Sequence, residues 1–483
     1  MSDRQDPTAL RLQAELDFAR SWKPLPGMER FAPLAQLLHN EFADPEARVA
    51  PLRSQLTDLL RYAEKEVPFY GKHWAGIGAA AVKRIGQLQR LPLINRHHVV
   101  AQFDALRHPA VDPGNPQVYT SRTSGSTGLP VKVLQTINDL RMFALLGQRQ
   151  TRWFRFDISQ RLARIRRPNH LFRRDDGSEL QPGEAVRKPR WANVGEFFHT
   201  GDEVHMTLEN PRATQLAWLK SERPGYLLTF PPLLEQLALA NDCQPLPGLK
   251  GVVAVASMLT EAMRARVEQA FGVTVQQGYG MNEFGMVASR CEAGRYHVHT
   301  ENNWVEIVDG EGQTVSPGES GRLVVTTLTN RIMPLIRYDT GDMARACDGP
   351  CPCGRTLPSF DDVLGRYVRY AGTPEGTRER VNGLLGTVAK MPNDMFVNIK
   401  QYQFFQALDE DFEVRVELAG ELHEAFEPQL QAAWARINAD DPGRSLRIVP
   451  VDEIPRTPSG KQLDFVSAFH GDDPAFAKKT GAD

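Results

Sequence analysis

Apolar positions recur at helical spacing from Leu52 to Lys65, and the following Val67-Pro68-Phe69-Tyr70 ends the pattern with a proline. The spacing predicts a supporting helix early in the chain. Between Pro224 and Gly278 the pattern alternates. Tyr226 to Phe230 reads as a strand and Pro231 to Asn241 as a helix opened by prolines. Gly251 to Ala256 is a buried-strand run, Thr260 fits an N-cap for a helix through Phe271, and Gly272 closes that helix before a strand at Val273 to Gln277. Strand, helix, strand, helix, strand implies a parallel sheet with crossover helices. Ligands of such sheets collect at the carboxyl ends of the strands, which points to the segment after Gln277, Gly278-Tyr279-Gly280-Met281-Asn282-Glu283.

After Gly365-Arg366 the pattern shifts. Tyr402 to Leu408 and Phe412 to Leu418 read as neighbouring strands, Leu422 to Ile437 as an amphipathic helix, and Leu446 to Val451 as a last strand. The chain of 483 residues therefore divides into a large α/β domain, 1–365, with parallel sheets and crossover helices, and a small α+β domain, 366–483.

Composition narrows the function. Apolar residues make up 41% and charged residues 24%, the balance of a globular protein with a core to bury. Lys plus Arg total 57 against 59 Asp plus Glu, so no global field favours nucleic acid or an anionic membrane. The first twenty residues mix Asp, Arg and Glu with apolar positions, unlike a secretory or transit peptide, and the most apolar short run, Val252 to Ala256, is far too short to span a bilayer. A cytoplasmic protein is expected. The Arg-rich stretch from Arg152 to Arg174, with Arg164, Arg166 and Arg167 close together, reads as solvated surface more readily than as an anion site. Four of the five cysteines, Cys291, Cys347, Cys351 and Cys353, fall in one region, which suggests metal ligation and not a disulfide framework.

The sharpest local signal is Thr123-Ser124-Gly125-Ser126-Thr127-Gly128, a run whose backbone N–H groups and hydroxyls can cradle phosphate, although no Gly-Lys-Ser/Thr ends it. Such a run alone is more often a turn. It is followed in order by Tyr279-Gly280-Met281-Asn282-Glu283, by Ile336-Arg337-Tyr338-Asp339-Thr340-Gly341-Asp342 and by Arg456-Thr457-Pro458-Ser459-Gly460-Lys461. The ordered set resembles the acyl-adenylate-forming superfamily of acyl-CoA synthetases, peptide-synthetase adenylation domains and luciferases. Cys351-Pro352-Cys353-Gly354-Arg355 and Gln401-Tyr402-Gln403 resemble the branch of phenylacetate-CoA ligases and CapK-like proteins.

The resemblance implies that Thr123, Ser124, Gly125, Ser126, Thr127 and Gly128 hold the phosphates of ATP, with Tyr279 and Gly280 beside adenine. It also gives Glu283 to Mg²⁺, Asp342 to the ribose hydroxyls, Arg366 to the domain boundary, and Lys461 to the reacting carboxylate and α-phosphate. These roles suit the chemistry of a hard cation, a diol and a growing anionic charge. Cys291, His297, Cys351 and Cys353 resemble a zinc set, with Cys347 and His299 as substitutes and small buried thiols as the alternative. Asn282 replaces the usual Thr. Tyr367-Val368-Arg369 replaces the usual acidic hinge, and the Gly-rich segment that accompanies thioester formation is not recognisable.

The implied reaction is ATP- and Mg²⁺-dependent activation of a carboxylic acid to acyl-AMP, then transfer to CoA. An amide- or ester-forming ligase with another acceptor is the alternative, and a catalytically silent nucleotide-binding protein is a third reading. A homodimer is compatible with each. Trp191, Phe197, Phe198 and His199 fit either an aromatic acyl pocket or, more readily, core packing.

Overall fold

The computed structural model describes residues 7–27, 32–122, 131–166, 173–256, 259, 261–366, 374–439, 441–454 and 465–469, less 175, 179, 182, 375, 389, 390, 392–394, 396 and 397. Side chains of 364–366 are also outside the description. Thr123 to Gly128, Thr260, Tyr367 to Arg369 and Arg456 to Lys461 therefore lie outside it.

Among the described residues a twelve-stranded sheet organises most of the chain. Its parallel part runs Glu203–Thr207, Leu162–Arg166, Tyr226–Thr229, Gly251–Ala254 and the first half of Thr274–Met281. Helices Arg212–Glu222, Pro231–Ala240 and Glu261–Phe271 cover one face, where Ala163, Ile165, Leu227, Val252 and Val267 form a core. On the other face Leu162, Tyr226 and Val253 pack with Trp153, Trp191, Phe197 and Phe198. The alternating strand and helix signals thus correspond to real crossovers.

One boundary differs in an informative way. The strand predicted to stop at Gln277 continues to Met281, because Gly278 to Met281 leave the parallel partner Gly251–Ala254 and pair antiparallel with Gly285–Arg290. The sheet then continues through Tyr296–Val298, Ser359–Arg366, Tyr338–Ala346, Ser320–Thr327 and Asn303–Val308, all antiparallel. The segment after Gln277 is therefore a hairpin at the seam between the parallel and antiparallel parts. Gly280 is required there, since a Cβ would stand 2.7 Å from the Gly285 carbonyl oxygen.

The early helix begins at Pro45, with the Asp44 carboxylate accepting from the Glu46 N–H, and continues through Pro51 to Glu66. The last part of the chain forms a separate four-stranded sheet, in the order Leu446–Val451, Phe412–Leu418, Ile399–Gln406, Phe465–Ser467. Helices Thr377–Val388 and Phe426–Ile437 share its core of Val381, Leu384, Phe404, Phe412 and Trp434. Leu422 is not helical, because His423 forms a turn whose Nδ1 accepts the Ala425 N–H at 3.1 Å. Leu408 is likewise in a turn, closed by the Ala407 N–H on the Asp411 carbonyl. Among the described residues no helix is long and apolar enough to cross a membrane.

The Arg-rich stretch is only in part solvated surface: Arg155 and Arg173 are exposed, but others are not. Arg152 is fully buried and pairs with Glu15 and Glu41, and buried Arg164 pairs with Glu203 at 3.0 Å. Their carboxylate partners are elsewhere in sequence, so the local charge run gave no sign of burial.

Candidate functional site

The hairpin carries the candidate site. The Tyr279 hydroxyl donates to Asp342 Oδ2, on the strand Tyr338–Ala346, at 2.6 Å. Burial first, then the neighbouring Asp342 carboxylate, push the phenol well above its ordinary pKa, so it stays a donor. Asp342 follows a tight turn: Gly341 adopts φ +76°, its N–H donates to Asp339 Oδ1 at 3.0 Å, and the Asp342 N–H donates to Thr340 Oγ1 at 3.0 Å. Glu283, in the turn after Met281, is buried, and the Tyr338 hydroxyl lies 3.5 Å from its Oε1. Two separate sequence motifs thus converge at the seam, and Tyr279, Glu283 and Asp342 share it.

The flanks of the phosphate-cradle motif reach the same place. Val118–Arg122 and Lys132–Thr136 pair antiparallel, so residues 123–130 connect two paired strands. Gln135 Nε2 donates to the Asn282 carbonyl at 3.1 Å, and Thr136 then caps helix Ile137–Trp153 in a capping box with Asp139. That helix lies along the hairpin: Phe143 stands beside Gly285 and Gln150 beside Gly278. It therefore runs antiparallel to the strands and exposes Ile137, Leu140 and Phe143 toward their carboxyl ends.

Supporting residues escaped the sequence reading. Arg337, in a positive-φ conformation, donates to Glu306 at 3.2 Å and to the Leu91 and Gly312 carbonyls at 2.6 and 2.7 Å, anchoring the strand that carries Asp342. Asn302 and Asn303 donate to the Phe284 and Met286 carbonyls at 3.0 Å each, bracing the turn behind Glu283. Nothing local to the Asn pair signals that long-range role. Arg366 pairs in register with Asp342.

Trp191, Phe197 and Phe198 are buried as core beneath the sheet, with Trp191 Nε1 donating to the Gln160 carbonyl at 2.9 Å, whereas His199 is exposed.

A second cluster joins Cys291, His297, Cys351 and Cys353, all buried, with candidate ligand atoms within 4.8 Å of one another. A tetrahedral zinc with metal–sulfur bonds of about 2.3 Å needs sulfur–sulfur edges of about 3.8 Å. Cys291 Sγ and Cys351 Sγ are 3.7 Å apart. His297 Nδ1 can donate to the Leu357 carbonyl at 3.2 Å, which orients Nε2 toward Cys353 Sγ at 3.3 Å. Gly354, at φ +79°, turns the chain back with its N–H on the Cys351 carbonyl, as a thiolate-bearing knuckle needs. Three thiols and an imidazole in this arrangement fit zinc. The two substitutes do not belong to the set. Cys347 contacts Ser359 and Asp361, and burial pushes its thiol up to about 12. His299 meets Ser289 and Arg149, and burial followed by Arg149 brings it down to about 3.

The family model for AMP-binding enzymes matches residues 192–330, the span that includes the hairpin. By class, that match and the fold support a likeness to the acyl-adenylate-forming superfamily. Within it, the chain is similar in sequence to phenylacetate-CoA ligases among the curated relatives it matches. It is 28% identical over 344 residues to a phenylacetate-CoA ligase of Thermus thermophilus, covering 67% of this chain and 71% of that protein. With a phenylacetate-CoA ligase of Escherichia coli it shares 25% identity over 336 residues, 64% of this chain and 68% of the relative. The crystal structure of a 2-hydroxyisobutyryl-CoA ligase in the postadenylation state, bound to an acyl-AMP, superposes with a TM-score of 0.64 over 90% of this chain and 93% of the other. At 19% identity, that likeness concerns the fold.

Proposed function

We propose that the chain uses ATP to convert a carboxylic acid into acyl-AMP, releasing pyrophosphate, and then passes the acyl group to the thiol of CoA. The observation that carries this is the convergence of Tyr279, Glu283 and Asp342 at the seam of the sheet, with the Tyr279 hydroxyl 2.6 Å from Asp342. A carboxylate held by a buried phenol suits the two ribose hydroxyls, and the Tyr279 ring offers an apolar wall for adenine. Glu283 supplies the hard oxygen for Mg²⁺, which would neutralise phosphate charge. By resemblance, Thr123 to Gly128 hold the phosphates, Arg366 supports the ribose, and Lys461 meets the charge that grows as the substrate carboxylate displaces pyrophosphate from the α-phosphorus.

In this reading the small domain, 366–483, brings Lys461 to the large domain, 1–365, for adenylation and withdraws it for transfer. The exposed Ile137, Leu140 and Phe143 beside the hairpin suit an acid with an apolar body. The four-ligand Cys/His set leaves no open coordination position, so zinc there would be structural.

ATP–pyrophosphate exchange across a panel of acids, with product analysis with and without CoA, tests the scheme. Lys461→Ala should lower exchange by about 10²–10³-fold, since its interaction is strongest in the transition state. Exchange at the wild-type rate in that variant would remove Lys461 from catalysis. An acyl-hydroxamate formed from trapped adenylate, without a CoA thioester, would assign transfer to another nucleophile.

A further inference from the structure

Arg166 closes the parallel strand Leu162–Arg166 at its carboxyl end, on the face that carries Leu162 and Arg164 and that helix Ile137–Trp153 covers. The register Arg164↔Leu228 sets it beside Phe230, and its guanidinium lies 5.8 Å from the centre of that ring. Across the other neighbouring strand its partner is Thr207. One layer deeper, Arg164 pairs with Glu203 at 3.0 Å, and Glu203 also holds His205 and the Ala192 N–H. The acidic side chain of this layer is therefore taken. Among the described residues no carboxylate pairs with Arg166, which is partly buried against an aromatic face.

A cation left in this setting is costly unless something supplies the anion. Burial, then Arg164 behind it, bring the guanidinium down to about 10, so it is still charged at neutral pH. The strand order places Arg166 two strands from Gly251–Ala254 and three from Thr274–Met281. At the usual strand spacing that is about 10 and 14 Å respectively. An acyl group whose reacting carboxyl sits at the seam, with its body across the strand ends, would thus bring its far end toward Arg166. The apolar side chains of Leu140, Phe143 and Phe230 suit the body of such a molecule, and Arg166 suits only its tip.

We propose that Arg166 is a specificity-determining residue for the activated acid, and that the preferred substrates carry a second carboxylate at the end of an aromatic or aliphatic spacer. The inference rests on the adenylation reading and extends it to the substrate class. A guanidinium pairs with a carboxylate through two parallel hydrogen bonds, and a site built for such a group discriminates strongly against an analogue that lacks it.

ATP–pyrophosphate exchange without CoA isolates the acid from the phosphates of CoA. The probes are phenylacetate against 4-carboxyphenylacetate, and hexanoate against adipate. The wild-type chain should favour the diacid of each pair by about tenfold or more in kcat/KM, and Arg166→Leu should shift that ratio about 100-fold toward the monoacid. Arg166→Gln, which retains polarity without charge, should shift it in the same direction and guards against misfolding of the leucine variant. A wild-type preference for the monoacids, or a ratio unmoved in both variants while exchange persists, overturns the inference. Exchange with no acid of a broad panel would overturn the adenylation reading itself, and the inference with it.

Discussion

Tyr279→Phe probes the seam with the smallest possible change. The substitution keeps the buried ring and its edge-on packing on Phe360, at 6.3 Å between centroids, and deletes only the hydroxyl that donates to Asp342 at 2.6 Å. A hydrogen bond to a charged acceptor is worth about 1.5–3 kcal/mol, and Asp342 is only partly buried, so water can replace part of it. A loss of about 1.5 kcal/mol in orienting the carboxylate is therefore expected, which corresponds to roughly tenfold weaker nucleotide binding. The assay is calorimetric titration with a non-hydrolysable ATP analogue for wild type, Tyr279→Phe, Asp342→Asn and the double variant. The two single losses should not add, because each removes the same contact, and the coupling should be about 1 kcal/mol or more. Additive losses, or unchanged affinity in Tyr279→Phe, would refute the claim that the phenol acts on nucleotide through Asp342.

Protein purified without chelator should contain about one zinc per chain, and Cys353→Ser should release it and lower Tm more than it alters acid preference; a zinc-free wild type of normal stability would contradict the ligand set. Acid should destabilise the fold in a defined window. Burial alone would raise Glu301, but the Arg149 guanidinium holds it at about 2 against an ordinary 4.5, and burial keeps His299 neutral down to about 3 against 6.5. Both folded values are depressed, so their stabilisation is complete above about pH 6.5 and is lost as pH falls toward about 2, with about 3 kcal/mol from Glu301 alone. Urea titrations across that range should show Glu301→Gln flattening the acid limb; an identical pH profile would refute the assignment.

The parallel strands and their crossovers were legible because Tyr226 to Thr229 and Gly251 to Ala254 form compact apolar runs, bounded by prolines and glycines. The reversal at Gly278 was not, since the same residues satisfy a parallel or an antiparallel partner and only the Gly285–Arg290 strand decides. Proximity of Tyr279 to Asp342 followed in sequence only from the order of motifs, while the structure supplies the hydrogen bond. The cysteine set was visible in its spacing, but the exclusion of Cys347 and His299 required knowing which way each faces just beyond the end of its strand. Arg152 shows the largest gap between sequence and structure. Its neighbours in sequence suggested solvent, whereas its carboxylate partners Glu15 and Glu41 lie more than a hundred positions away.

That distant pairing gives the first two helices, Pro7–Arg20 and Ala32–Phe42, a role beyond packing. Glu15 and Glu41 reach into the fold and meet Arg149, Arg152 and Arg355, all buried, while Glu301 pairs with Arg149 at 2.7 Å. Arg355 follows directly on the cysteine knuckle and lies 4.3 Å over the Trp153 ring, which in turn packs edge-on against His297. The ionic group and the Cys/His set therefore grip the same end of helix Ile137–Trp153. Its other end carries the Thr136 cap, the adjoining Gln135 contact to Asn282 and the exposed Leu140 and Phe143. A helix held at its last turns by buried charges has little freedom to slide, because removing one member leaves the others buried and unpaired at a cost of about 3–5 kcal/mol. The position of the apolar surface beside Glu283 is thus set at the opposite end of the helix, by the buried charges at its last turns.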